Sequence, residues 1–220
     1  MRKPPTINFV GTRCTDGNHL ALERWYADHV HLLLMAPELQ QAELFSCEHG
    51  LVGKPPDYFC IYEFASHDDF LQFEHGQPKA RATELTNAAA GRSSIEIVQR
   101  YQYTRWLHRQ WPAFSHQPSQ TWRLAVCLQA EAEWNLEAQR WLADQLQSMR
   151  ASFELKQAQI FAQHGQPHLA LMLLDFSGHE ATKVWSDLSH LLAQPSRYGA
   201  AQSLQIQWAA SARAVQAWLR

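Results

Sequence analysis

His29 stands one helical turn after Trp25 in a segment whose apolar positions, Leu22, Trp25, Leu32, Leu33 and Ala36, recur at helical spacing. The indole and the imidazole therefore share one stripe of a predicted helix. An imidazole placed there can act as a general base or acid, because its ordinary pKa lies close to neutrality. The same residue can equally be a half-buried histidine packed on a sheet. Trp25 offers a ring for ligand stacking or a large apolar anchor. Arg13, at the end of a strand-like run, can grip a carboxylate or enolate with its planar guanidinium, or face solvent. Tyr58 and Tyr62 share parity in a second strand-like run, and Tyr101 and Tyr103 in a third. Their hydroxyls can donate to a ligand oxygen and their rings can stack on an aromatic molecule, or serve as ordinary packing. The set predicts proton-transfer chemistry on a small molecule, with His29, Arg13 and Tyr62 as catalytic candidates. Trp25, Tyr58, Tyr101 and Tyr103 are the candidate ligand wall.

Other chemistries lack their signatures. The glycines around Ser46 and Ser66 form no nucleophile elbow. Twelve histidines are present, yet no HExxH or CxxC spacing occurs, and His29 and His31 point to different sides of a helix. No metal and no cofactor are expected on these grounds. The cysteines, Cys14, Cys47, Cys60 and Cys127, are widely spaced and read as buried reduced thiols of a cytoplasmic protein. A net charge of -2 with no dense Lys or Arg cluster argues against nucleic acid as a partner. The basic opening Met1-Arg2-Lys3-Pro4-Pro5 leads into no apolar stretch of signal-peptide or membrane-spanning length, so neither secretion nor a membrane is expected.

The elements that must position these residues come in duplicate. Arg24-Trp25-Tyr26-Ala27-Asp28 returns as Arg140-Trp141-Leu142-Ala143-Asp144, and Glu38-Leu39-Gln40-Gln41-Ala42 returns as Glu154-Leu155-Lys156-Gln157-Ala158, at one constant spacing. A repeat of this length is a folding unit. In the first copy strands are predicted over 7–14, 39–47, 58–64 and 95–104, with Glu48 to Asp57 as a turn-forming return. Helices are predicted from 20 to 35, ended by Pro37, and from Ser66 to about 89, interrupted at Gly76-Gln77-Pro78. The second copy repeats the order with strands over 122–130, 153–163, 168–176 and 203–210 and helices over 136–149 and 179–192. The expected division is a first repeat over 1–106, a linker over 107–120 and a second repeat over 121–220. Gln145 occupies the place of His29 in the second copy, which predicts one chemically equipped cavity rather than two.

Each βαββαβ unit is expected to form an antiparallel sheet in the order 4-1-3-2 with its helices on one face. The run Tyr58-Phe59-Cys60-Ile61-Tyr62-Glu63-Phe64 is apolar on both parities, so the other face needs cover too. Charged residues make up only 18% of the chain, which also predicts extensive protein-covered surface. The Trp25-xxx-His29 helix, the Tyr58 to Ser66 strand with Asp68-Asp69-Phe70 after it, and the element order over residues 6–212 resemble the dimeric α+β barrel superfamily, most closely its EthD-like and stress-responsive members.

The resemblance implies an α+β fold of two tandem ferredoxin-like units packed as a pseudo-dimeric α+β barrel, in a monomer with an internal pseudo-dimer or in a homodimer. It implies a cavity for a small aromatic or polyketide-like molecule, and haem as a group some members hold although no residue pattern here supports it. Fold likeness selects no single reaction. The alternative is a non-catalytic interaction or structural module with filled cavities, which the nine tryptophans, several of them in the expected linker and near the end of the chain, also suit.

Overall fold

A computed structural model describes residues 3–89, 91–111, 121–130, 133–134, 136–152, 154–177, 181–192 and 204–220. The fold is α+β, with eight antiparallel strands in the closed barrel order β1-β3-β2-β8-β5-β7-β6-β4. The elements, in chain order, are β1 (Thr6–Cys14), α1 (His19–Leu33), β2 (Leu39–Val52), β3 (Tyr58–Phe64), α2 (His67–His75), α3 (Gln77–Asn87), β4 (Ile95–Gln110), β5 (Thr121–Ala130), α4 (Leu136–Ser152), β6 (Leu155–Gln163), β7 (Gln166–Ser177), α5 (Ala181–Leu192) and β8 (Leu204–Leu219). The chain divides into two compact units. Unit 1 comprises Met1–Cys47, Pro56–Thr104 and Ala214–Arg220; unit 2 comprises Glu48–Pro55 and Arg105–Arg213.

In unit 1, β1 pairs antiparallel with both β3 and β4, and β3 with β2. Alternation along the strands separates two faces. Val10, Leu44, Tyr58, Cys60, Tyr62 and Phe64 meet Leu22, Trp25, Val30, Phe70 and Phe73 of the helices in one buried cluster. On the opposite face Phe9 stacks on Phe59, Phe59 on Phe45, and Tyr103 sits edge-on to Phe9. These four rings are buried as well, so both faces of this sheet are withdrawn from water. Asn18 and Ser66 cap α1 and α2 through their side chains, satisfying backbone N–H groups of the first turns. Gly76-Gln77-Pro78 does break the second helix: Gly76 is extended and Pro78 lies in the first turn of α3, where its missing N–H costs nothing.

Unit 2 repeats the pairing, β5 with β7 and β8, and β7 with β6. Its helix-facing cluster is apolar throughout: Leu124, Val126 and Leu128 of the sheet against Trp141, Leu142, Leu146, Met149, Val184 and Leu188. A cross-strand ion pair joins Arg123 to Asp175, with Nε donating to Oδ1 at 2.6 Å and Nη2 to Oδ2 at 2.9 Å.

Two expectations need correction. Residues 48–52 are strand, not turn, because β2 continues through Gly50 to Val52 and only residues 53–57 return the chain. β4 and β8 likewise run past their expected ends, to Gln110 and Leu219. Extended partners satisfy backbone groups that a short strand would leave bare, and Arg220 N–H donates to Gln40 C=O at 3.3 Å. The expected linker is thus strand over 107–110, and residues 112–120 lie outside the described residues, as do 179 and 180 of the last expected helix.

Candidate functional site

Three segments of unit 1 build a cavity of about 140 Å³ between its sheet and its helices. The floor is β1, where Asn8, Val10 and Thr12 occupy alternate positions and so face the same way. One wall is α1, where Trp25, Tyr26, His29 and Leu33 fall on one side of the helix. The other wall is α3, with Lys79, Thr83 and Asn87 one turn apart from each other. Arg92, Ile95, Ile97 and Arg100, from the turn after α3 and from β4, complete the lining together with Tyr62 and Phe73.

His29 is held on two sides. Its ring lies nearly parallel to that of Trp25, with centroids 4.5 Å apart and planes 17° apart. Its Nδ1 is 2.9 Å from Thr86 Oγ1. The Thr86 hydroxyl gives its proton to the Ala82 carbonyl at 2.7 Å, so toward the histidine it can only accept. That fixes the tautomer: Nδ1 carries the proton and donates to Thr86, and Nε2 carries the lone pair. No described residue is hydrogen-bonded to Nε2, which leaves it for a ligand. Thr86 also anchors the stacking partner, since Trp25 Nε1–H donates to the Thr86 carbonyl at 2.9 Å.

The cavity is electrically one-sided. Lys79, Arg92 and Arg100 line it, and among the described residues no Asp or Glu does. Glu74 serves two of these cations, pairing with Lys79 and accepting from Arg100 Nη2 at 3.2 and 3.1 Å. Arg92 Nη1 donates to the Ile95 carbonyl at 2.7 Å, and its guanidinium lies over the Trp25 ring at 6.0 Å. Burial, and then the positive charges of Arg92, Arg100 and Lys79, push the His29 pKa down to about 4, so the imidazole is neutral near pH 7. Burial likewise pushes the Tyr62 phenol well above its ordinary range, so it stays protonated. The lining therefore offers cationic donors, one basic nitrogen and apolar walls.

Of the residues singled out in the sequence, His29, Tyr62 and Trp25 come together at this cavity. Arg13 does not line it; its side chain is 42% exposed and lies 3.5 Å from Glu96, its cross-strand neighbour. The Tyr58 hydroxyl is engaged elsewhere, donating to Glu23 at 3.0 Å and lying 3.1 Å from His19 Nδ1. Tyr103 is buried on the opposite sheet face beside Phe9, and Tyr101, next to it, is 39% exposed. Asn8, Thr86, Lys79, Arg92 and Arg100 were not anticipated. Asn8 alone carried a signal, as an amide between the apolar residues Ile7 and Phe9 of β1.

Register gives the matching positions of unit 2. Thr6 pairs with Phe64, and Trp122 with Phe176, so Asn8, Thr12 and Tyr62 correspond to Leu124, Leu128 and Leu174. Every polar group of the floor is thus replaced by leucine, and the cluster there is packed with Trp141, Leu146 and Met149. Haem does not fit the cavity of unit 1: a porphyrin needs several times its volume. No group of His, Cys, Asp or Glu side chains suited to a metal occurs among the described residues.

No family model matches the chain, and no curated protein matches it. Solved structures do. A candidate monooxygenase from Fusobacterium nucleatum subsp. nucleatum superposes with a TM-score of 0.60 at 7% identity, covering 100% of this chain and 96% of that one. An anthrone oxidase-like protein gives 0.59 at 10% identity, over 99% and 93%. A chlorite dismutase from Candidatus Nitrospira defluvii gives 0.58 at 11% identity, over 96% and 92%. At such identities the likeness is one of fold alone. No helix among the described residues is long and apolar enough to cross a membrane.

Proposed function

We propose that unit 1 binds a small aromatic anion in the cavity beneath α1 and α3 and removes a proton from it with His29. The observation that carries this reading is the lining itself: apolar rings, three cations and a neutral imidazole whose Nε2 lone pair is unengaged among the described residues. A cavity of about 150 Å³ holds a benzene ring, so this one suits a single ring rather than a fused polyketide. The ligand's negative oxygen sits among Lys79, Arg92 and Arg100, whose charges stabilise it. An acidic C–H bond of the substrate then breaks, the proton moves to Nε2, and the electron pair stays on the substrate as an enolate. The imidazolium so formed is supported by Thr86 at Nδ1 and by the Trp25 face. An anion in the cavity also offsets the charges that depress the histidine, which raises its basicity when substrate is bound.

Solved structures of the same fold include a candidate monooxygenase and an anthrone oxidase-like protein, which supports small-molecule chemistry for this cavity. Unit 2 is proposed as a structural partner, since leucines replace the polar floor there. The EthD-like character, the origin of the chain as a tandem fusion and a cytoplasmic location belong to the same proposal. The free cysteines Cys14, Cys47, Cys60 and Cys127 suit that location.

Calorimetric titration with benzoate and with its neutral isostere benzamide tests the reading. Benzoate is expected to bind at least about tenfold tighter, and Arg92→Gln to reduce that preference. Equal binding of the two, or binding of neither, overturns it.

A further inference from the structure

The floor of the cavity holds one polar group that nothing among the described residues satisfies. Asn8 is 3% exposed, it lines the cavity, and its carbonyl oxygen has no hydrogen-bond partner among the described residues. A buried acceptor left unpaired is costly, and such groups are rare unless a function requires them. The fold does not require this one. Leu124 occupies the corresponding strand position of unit 2, fully buried in a well-packed cluster, so a leucine at this place is compatible with the same strand pairing. Asn8 is therefore a specific feature of unit 1, placed among Val10, Tyr62 and His29.

We infer that the ligand is a hydroxyaryl acid: a single ring whose anionic group is held by the cations and whose hydroxyl donates to Asn8 Oδ1. This rests on the proposed anion-binding reading and narrows it. The cavity admits one ring, so the donor and the anion must be substituents of that same ring. An unsubstituted aryl anion leaves the Asn8 oxygen unpaired. A ligand carrying both an anion and a hydroxyl completes the hydrogen bonding of the site.

Benzoate and 2-, 3- and 4-hydroxybenzoate, all ionised at neutral pH, are titrated calorimetrically into the full chain and into Asn8→Leu. At least one hydroxy isomer is expected to bind about tenfold tighter than benzoate to the unmutated protein, because the site otherwise keeps a buried acceptor unpaired. In Asn8→Leu that advantage over benzoate is lost, and the ligand-free protein melts at a higher temperature. The methylbenzoates match the hydroxyl in size but lack the donor, and on the unmutated protein they should gain nothing at the favoured position. This second comparison stands even if the leucine variant fails to fold. A hydroxyl that brings no gain, or a gain shared by the methyl isomer or retained without Asn8, overturns the inference while leaving anion binding intact. Absence of binding by all of the acids overturns the underlying reading and the inference with it.

Discussion

The Nδ1 of His29 lies 2.9 Å from the Thr86 hydroxyl, and that hydroxyl has already committed its only proton to the Ala82 carbonyl. Two residues from different helices thereby fix which nitrogen of the imidazole is basic. Replacing Thr86 by Val keeps the shape and removes the acceptor. The expected outcome is a shift of His29 toward the tautomer protonated at Nε2, seen in nitrogen NMR of the ring, with a stability loss of about 1–2 kcal/mol. An unchanged tautomer would show that Thr86 does not set it.

His29 should also leave a mark on the pH dependence of stability. Its pKa in the folded chain is about 4, against about 6.5 when unfolded. Between these values the unfolded chain takes up a proton that the folded one refuses, so stability falls as pH drops from about 6.5 to about 4. Above that window the contribution is constant. Denaturant titrations at about pH 7.5 and about pH 4.5 should show the unmutated protein losing about 2–3 kcal/mol more than His29→Gln. Equal losses would mean that the imidazole is not held neutral.

Glu74 tempers the charge of the cavity by pairing with both Lys79 and Arg100. Glu74→Gln releases those cations and is expected to tighten benzoate binding several-fold at low salt, with the gain shrinking as ionic strength rises. Weaker binding in this variant would mean that Glu74 acts mainly by positioning Lys79 and Arg100.

Gly91 sets the turn that delivers Arg92. Its φ is +92°, and a Cβ there would lie 2.8 Å from the Ala21 carbonyl oxygen of α1. Gly17 also has a positive φ, of +73°, but nothing within 4 Å of the added atom. Gly91→Ala should therefore cost clearly more than the roughly 1 kcal/mol expected at Gly17, and should weaken anion binding as well. Thermal melts of the two variants decide the matter.

The Arg123–Asp175 pair is mostly buried, at 13% and 15% side-chain exposure. Arg123→Met alone leaves a carboxylate without its partner and is expected to cost about 3–5 kcal/mol. The double change Arg123→Met with Asp175→Leu should recover most of that loss in a double-mutant cycle.

Local signals in the sequence were strong enough to place α1, the start of α2 after Ser66, the break at Pro78 and the pairing order of each sheet. They rest on periodicity and on side chains that bond to nearby backbone. The strand ends were not legible: Glu48 to Val52 looks polar and turn-like, Ala212 to Leu219 shows no clean polar-apolar alternation, and both are ordered by partners distant in sequence. Parity did not locate Arg13 either: the register shift between Gly11 and Thr12 in the β1–β4 pairing sets Arg13 opposite Glu96. The cations of the cavity were hidden for a similar reason. Lys79, Arg92 and Arg100 come from a helix, a turn and a strand, and only folding makes them neighbours.

Val215 and Trp218, near the end of β8, pack against the core of unit 1, which otherwise draws on residues before 105. During synthesis β4, β1, β3 and β2, with the whole cavity lining, are therefore made well before residues 214–220 cover that core. A nascent chain stalled in β8 would leave open to chaperones the part of the hydrophobic cluster that Val215 and Trp218 cover.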